Sequence, residues 1–291
     1  MKITGQMVKE LREIAGAGIL DCKHALTATN GNIKEAVEWL TENGVLKAAK
    51  KNDRVAAEGL CGIRHNATHA VIYEVNAETD FVAKNDKFLD LINLVGDILL
   101  IKKPADVEAA LKLDIDGQTL EQIIAHQISV IGEKITLRRF EILEKSATNN
   151  FGIYVHMGGR IAALTLVENA TADVAKDVAM HVAAINPLAI SRDNLDAEVV
   201  AAKKAELTAI VVEEGKPQNI AEKIVEGRMG KFFAESVLLE QDFVKNPDMK
   251  VAGFLEISTA TVQAFVRYAV GEGIEKEEVD FATEVMSQVR Q

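Results

Sequence analysis

Apolar residues recur along this chain with two periods, and each period marks a kind of element. Near the start, Met7, Val8, Leu11 and Ile14 fall on one helical face behind Thr4, a natural cap. Gly16-Ala17-Gly18 ends that helix. A second stripe carries Ile19, Cys22, Ala25 and Leu26, and Asn30-Gly31-Asn32 turns the chain. A third carries Ile33, Ala36, Val37 and Leu40, with Gly44 as its expected stop. The spacing then shortens. Leu60 to Arg64 and Ala70 to Val75 read as strands joined across His65 to Thr68, and Phe88, Leu91, Ile92, Val95 and Leu99 mark a helix over 86–101. Thr119-Leu120-Glu121-Gln122 has the form of a capping box before Ile123, Ile124, Ile128 and Ile131. Ile135 to Ile142 is a strand whose alternation changes phase at Arg138-Arg139, which predicts a bulge.

The same order then returns. Gly152 to His156 is a strand, Met157-Gly158-Gly159 a turn, Arg160 to Val167 a strand and Thr171 to Ile185 a helix, broken by Asn186-Pro187. Strand–turn–strand–helix thus occurs twice, which predicts a duplicated core of two small antiparallel sheets, each covered by helices on one face. Ser191 and Asp193 open a long helix with Leu195, Val199, Ala202, Leu207, Ile210 and Val211; Gly215-Lys216-Pro217 turns it, and Ile220, Ile224 and Gly227 lead back toward Phe232. Two long helices on a tight turn make a helical hairpin whose apolar flanks seek a partner. Ser236 to Val244 and Thr261 to Val270 are strand candidates, 241–260 has no clear pattern, and Asp280 caps a last helix bearing Phe281, Val285 and Val289.

Composition narrows the function. The chain has 291 residues, 48% hydrophobic, enough for two or three packed domains. Lys and Arg number 33 against 44 Asp and Glu, a net charge of −11 that argues against a generic polyanion binder. Aromatics make up 5% with one Trp, too few for stacking platforms on single-stranded nucleic acid. Lys47, Lys50, Lys51 and Arg54 form a short basic stretch, read as a solvated linker or a contact to an acidic protein surface. No run of about 18 apolar residues and no signal-peptide core appear, so a cytoplasmic protein away from membranes is expected. Cys22 and Cys61 lie outside any CxxC pattern and read as free, buried thiols. His65 and His69 lack a third ligand nearby, while His24, His126 and His181 lie in apolar stripes, so no metal or cofactor is implied. Gly271 and Gly273 sit among Glu272 and Glu275 with no GK[ST], which excludes a phosphate loop. Asp80 and His156 have no nucleophile motif or paired carboxylates beside them, so the chain is not read as an enzyme.

One stretch organises the rest. Asn76-Ala-Glu-Thr-Asp-Phe-Val-Ala-Lys-Asn85 lies where the strand ending at Val75 hands over to the helix with Phe88. By spacing alone, Thr79 or Asp80 would cap that helix and Phe81 would be buried; alternatively, an aromatic on a rigid support would serve as a binding group. The run Glu74-Val-Asn-x-Glu-Thr-Asp-Phe-Val-Ala-Lys-Asn85 resembles the signature of the bacterial elongation factor Ts family. The resemblance continues in Leu11 to Leu26 (LREIAGAGILDCKHAL), His156 to Leu164 (HMGGRIAAL), Gly215 to Met229 (GKPQNIAEKIVEGRM) and the segment from Phe265 (FVRYAVGEGIEK).

That resemblance implies an α+β protein with a UBA-like three-helix module at 1–53, core subdomains at 54–149 and at 150–190 with 234–272, a coiled-coil hairpin at 191–233 and a C-terminal module at 273–291. It implies a translation factor that promotes GDP release from the GTPase elongation factor Tu, with Thr79, Asp80, Phe81 and Val82 entering near the partner's Mg²⁺ and Arg12, Ile19, Leu20 and His156 as docking residues. Ile19-Leu20 stands where many members carry a Met pair, leaving a less adaptable apolar contact. A homodimer or a 2:2 complex with the partner is compatible with the hairpin. The residues also leave open a ubiquitin-type or nucleic-acid-binding adaptor acting through the N-terminal bundle and basic stretch, and an assembly module held together by the hairpin.

Overall fold

A computed structural model describes residues 3–215 and 217–275. The fold is mixed α+β with small antiparallel sheets. Three helices come first: α1 (Gly5–Ala15), α2 (Ile19–Ala28) and α3 (Ile33–Ala49). Thr4 accepts from the Met7 N–H, and Gly16 closes α1 in the left-handed conformation at φ 65°. Leu11, Cys22, Ala25, Leu26, Ala36 and Leu40 form the bundle core. Two expectations fail here. Ile14 is 60% exposed and does not join that core. Gly44 does not stop α3; it lies buried within the helix, where a Cβ would meet the Ala125 carbonyl at 3.7 Å, so it is a point of close packing on the helix Leu120–Ile131.

β1 (Glu58–His65) and β2 (His69–Ala77) lead into α4 (Asp86–Lys102); α5 (Val107–Leu111), the two-residue strands β3 (Asp114–Ile115) and β4 (Gln118–Thr119), α6 (Leu120–Ile131) and β5 (Ile135–Glu144) follow. The sheet order is β1-β2-β5. The expected stripe of α4 is buried, and the capping box of α6 forms with both of its bonds. Tyr73 on β2 is almost fully buried, in a slot left open by Gly62 on β1 and Gly96 on α4. The basic stretch is not a free linker. Lys51 reaches the Gly132 carbonyl, and Arg54 pairs with Glu78 at 3.2 Å.

The second sheet has the order β10-β7-β6, from β6 (Asn149–His156), β7 (Ile161–Glu168) and β10 (Thr261–Ala269). α7 (Ala172–Ile185), capped by Thr171, packs on it through Val178, Ala179 and Val182. α8 (Ala197–Glu213) and α9 (Gln218–Ser236) form the hairpin around Leu207, Val211, Val225 and Met229. Val199 and Ile210 of the expected apolar set are exposed on the hairpin's flanks. The strand expected over 236–244 is not there. α9 runs through Ser236, Val237 makes a single bridge to Ala189, a 3₁₀ turn takes Leu238–Glu240, and only Asp242–Phe243 (β8) pairs, with β9 (Asn246–Lys250). Apolar Val237, Leu238 and Phe243 look strand-like in sequence because all three are buried. α10 (Val251–Ile257) completes the segment that had no clear pattern.

By its contacts the chain divides into two units, Met1–Gly62, Tyr73–Phe140 and Ala269–Gln291 in one, Ile63–Ile72 and Glu141–Tyr268 in the other. The last helix expected from Asp280 lies outside the described residues. Among those described, no helix is long and apolar enough to cross a membrane, and no three His, Cys, Asp or Glu side chains cluster to hold a metal. Both cysteines are free and buried.

Candidate partner-binding tip

β2 is buried along almost its whole length and ends at Ala77, so the chain leaves the sheet from a fixed point. It bends through Glu78 and Thr79, turns at Asp80 and Phe81, and makes one 3₁₀ turn over Val82–Lys84 before α4. Neither Thr79 nor Asp80 caps α4. Asn85 does, its side chain accepting from the Lys87 N–H at 2.9 Å. The residues ahead of Asn85 are thereby released from a capping role.

Their side chains divide into root and apex. Thr79 gives its backbone N–H to one oxygen of Glu133 at 2.9 Å and its hydroxyl to the other at 2.7 Å. Val82 is buried, 6% exposed, and Ala83 beside it is buried too, so the 3₁₀ turn is seated on its apolar side. Asp80 is partly exposed and lies 3.4 Å from Lys84, an exposed pair one helical turn apart that adds little stability. Phe81 is 79% exposed. A phenylalanine left in water beside buried Val82 and Ala83 forgoes about 2 kcal/mol of burial that folding could have supplied. Of the four tip residues, Phe81 and Asp80 face outward; Thr79 and Val82 hold the turn.

A second exposed apolar group stands at the α1–α2 turn. Ile19 and Leu20 are both exposed, at 59% and 71%, and Ile14 and Arg12 are exposed on the end of α1. This turn belongs to the same unit as the tip. Lys87, in the first turn of α4, reaches the Gly16 carbonyl at 3.5 Å. His126 of α6 bonds the Ala15 backbone; burial holds its pKa below the ordinary value, with that bond opposing. The apolar turn is therefore tied to the helix that the tip leads into.

His156 lies in the other unit, at the end of β6, exposed and stacked 5.9 Å from Tyr154. Val155 and Met157 beside it are exposed as well. Among the other histidines, His24 is exposed rather than in the α2 core, whereas His181 is fully buried. Sequence reasoning missed Ile14 and Met157 as exposed apolar residues and Glu133 as the partner of Thr79. Ile14 fits the α1 stripe, and Glu133 lies 54 positions from Thr79 with nothing local to link them.

Chemically, the tip offers an aromatic ring and a carboxylate on a short braced turn, a form suited to entering a cleft in another macromolecule. The family model described as elongation factor TS matches residues 78–272, a match that begins at the root of this tip.

Proposed function

The chain belongs to the elongation factor Ts family of translation elongation factors, and from that premise we propose that it is the guanine nucleotide exchange factor for elongation factor Tu. It performs no bond chemistry of its own. Arg12, Ile19 and Leu20 dock on the GTPase domain, with His156 as a further contact. The tip then enters beside the partner's Mg²⁺ and phosphate pocket. Phe81 wedges between partner side chains, and the Asp80 carboxylate perturbs the Mg²⁺ shell. Loss of Mg²⁺ removes a main counter-charge of the phosphates, so GDP affinity falls. By linkage, GDP must weaken binding of the factor to the same degree.

The observation that carries this reading is the exposure of Phe81, 79%, on a turn whose neighbours are anchored. The test is release of fluorescent GDP from elongation factor Tu, followed by stopped flow. In Phe81→Ala the maximal release rate should fall by about 30-fold, the equivalent of about 2 kcal/mol at an interface hot spot. Ile19→Ala and Arg12→Ala should instead raise the factor concentration needed for half-maximal release. Full exchange by Phe81→Ala would refute the wedge.

A further inference from the structure

The apex of the tip is open, but its root is held from outside. Glu78 and Thr79 leave β2, and Glu133 and Lys134 lie between α6 and β5. The two pairs exchange carboxylates. Glu133 takes the N–H and the hydroxyl of Thr79, and Glu78 takes the backbone N–H of Lys134 at 2.5 Å. Each loop thus supplies one carboxylate and one main-chain donor to the other. Two antiparallel bonds between adjacent residues fix both separation and pitch, which a single bond cannot. Bonds to an ionised acceptor are also the stronger kind.

The brace reaches further. Lys134 donates through Nζ to the carbonyls of Asn52 at 2.6 Å and Arg54 at 2.9 Å, and Arg54 returns to Glu78. Lys51 bonds the carbonyl of Gly132. The turn at 132–134 is a hub that grips the tip's root on one side and the chain leaving α3 on the other. By contrast, the outward-facing apex residues Asp80 and Phe81 carry between them one exposed ion pair and an unburied ring.

We propose that Glu133 is the positioning residue for Phe81: it touches no partner group and sets the angle at which the ring is presented. This inference rests on the exchange reading above. A wedge transmits force only if its root resists rotation. With Glu133 removed, the N–H and hydroxyl of Thr79 turn to water, which solvates them at any loop angle. The docking surfaces on α1 and α2 are unchanged. Affinity should therefore survive while the ring arrives in many orientations, few of them productive. Loss of maximal rate at constant affinity is the signature of positioning.

The experiment measures GDP release from elongation factor Tu over a range of factor concentrations, with melting curves for every variant. Glu133→Ala should lower the maximal release rate on the order of 10-fold, since bonds to a charged group are lost. Its half-saturating concentration should change less than about 3-fold. Glu133→Gln, which keeps one acceptor, should recover part of the rate. In a Phe81→Ala background, Glu133→Ala should add nothing, because a residue acting only through the ring has no effect once the ring is gone. Full release by Glu133→Ala, or an additive loss in that background, overturns the inference while leaving the wedge intact. Full release by Phe81→Ala overturns the exchange reading and this inference with it. If Glu133→Ala melts early, Glu133→Gln and Thr79→Val decide by the same split of rate and affinity.

Discussion

Glu74 is the most consequential buried charge among the described residues. Its side chain has no exposure, yet it accepts four bonds: from Arg138 Nη1 at 3.0 Å, Arg139 Nε at 2.6 Å, the Gly271 N–H at 2.8 Å and Asn76 Nδ2 at 3.0 Å. Arg138 also reaches the Glu272 carbonyl, and Arg139 the Glu272 carboxylate at 3.4 Å. Consecutive strand residues normally point to opposite faces; here both arginines converge on one carboxylate, at the pair where the sequence alternation breaks. Gly271 is needed because its φ is 72° and a Cβ would lie 2.1 Å from the Ala57 carbonyl. One carboxylate therefore ties β2, β5 and the 269–272 turn together.

In Glu74→Ala, Arg138 keeps its bond to the Glu272 carbonyl and Arg139 its contacts with the Glu272 carboxylate and the Ala269 carbonyl, but both lose the buried carboxylate. Removing one partner of a buried ion pair costs about 3–5 kcal/mol, and the partial exposure of Arg138 and Arg139, 24% and 30%, places this case near the lower end, about 3 kcal/mol. Glu74→Gln keeps one acceptor and should cost about half as much. A chain with two units is not a safe two-state system, so amide hydrogen exchange is the assay of choice. Protection should fall at Gly271 and along 269–272 in Glu74→Ala, with the denaturation midpoint lowered. Burial alone would raise the Glu74 pKa. The bonds from Gly271, Asn76 and Arg139, with the Arg139 charge, outweigh it and hold the carboxyl below its ordinary 4.5. A depressed carboxyl contributes its stability in full above the unfolded value and loses it as pH falls through the folded one. The network should thus add no slope between pH 6 and 8 and fail only in acid. If Glu74→Ala exchanges its 269–272 amides like the wild type and unfolds within about 0.5 kcal/mol of it, the clamp is refuted.

Three further outcomes follow from the same geometry. Phe81→Ala should leave stability within about 0.5 kcal/mol of wild type, since the ring has little burial to lose, so a melting curve separates function from folding. Gly96→Ala should destabilise by about 1–3 kcal/mol in thermal melts, the reverse of the usual helix gain, because its Cβ would lie 2.2 Å from Tyr73 Oη; a stabilised variant would refute the slot. His181 is held neutral: Nδ1 accepts from the Val244 N–H at 3.2 Å, so Nε2–H donates to Gln241 Oε1 at 2.9 Å. Burial keeps its pKa below the ordinary 6.5, the Gln241 bond opposing. The unfolded chain takes up that proton and the folded one does not, so stability should fall as pH drops below 6.5 toward the folded value. His181→Leu should cost about 1–3 kcal/mol for the orphaned Val244 N–H and flatten the slope from pH 7 to 5.5; an unchanged slope would assign it elsewhere.

Local chemistry was the legible part of this fold. Thr4, and Thr119 with Gln122, cap the helices they were read to cap, because a cap and its donors lie within four positions. The α4 stripe was legible for the same reason. What failed depended on partners far along the chain. Gly44 reads as a stop unless α6 is known to cross it. Ile14 fits the α1 stripe, yet no element among the described residues covers it. In Ser236 to Val244, Leu238 and Phe243 are buried among residues of α7 and α10, which sequence cannot distinguish from burial in a sheet. At the tip, the aromatic in its motif was legible, but whether it faced inward or outward was not, since an acid and small neighbours accompany either case.

The least legible residues are the acids that fix one loop against another. Glu74, Glu78 and Glu133 look like ordinary contributors to a net charge of −11, and an acidic protein gives no reason to single them out. Each instead accepts from a backbone N–H far along the chain: Gly271, Lys134 and Thr79. A main-chain donor is the same whatever the residue, so no pattern in the sequence records the pairing. The arrangement has a functional consequence. Loops fixed through their backbones leave their side chains uncommitted. The Phe81 carbonyl accepts from the Lys84 N–H but its ring takes no part in holding the turn, and Glu133 holds the turn without reaching its apex. Position and contact are carried by different residues, so each can be removed without the other. That separability is why the Phe81 and Glu133 variants ask different questions of one exchange assay.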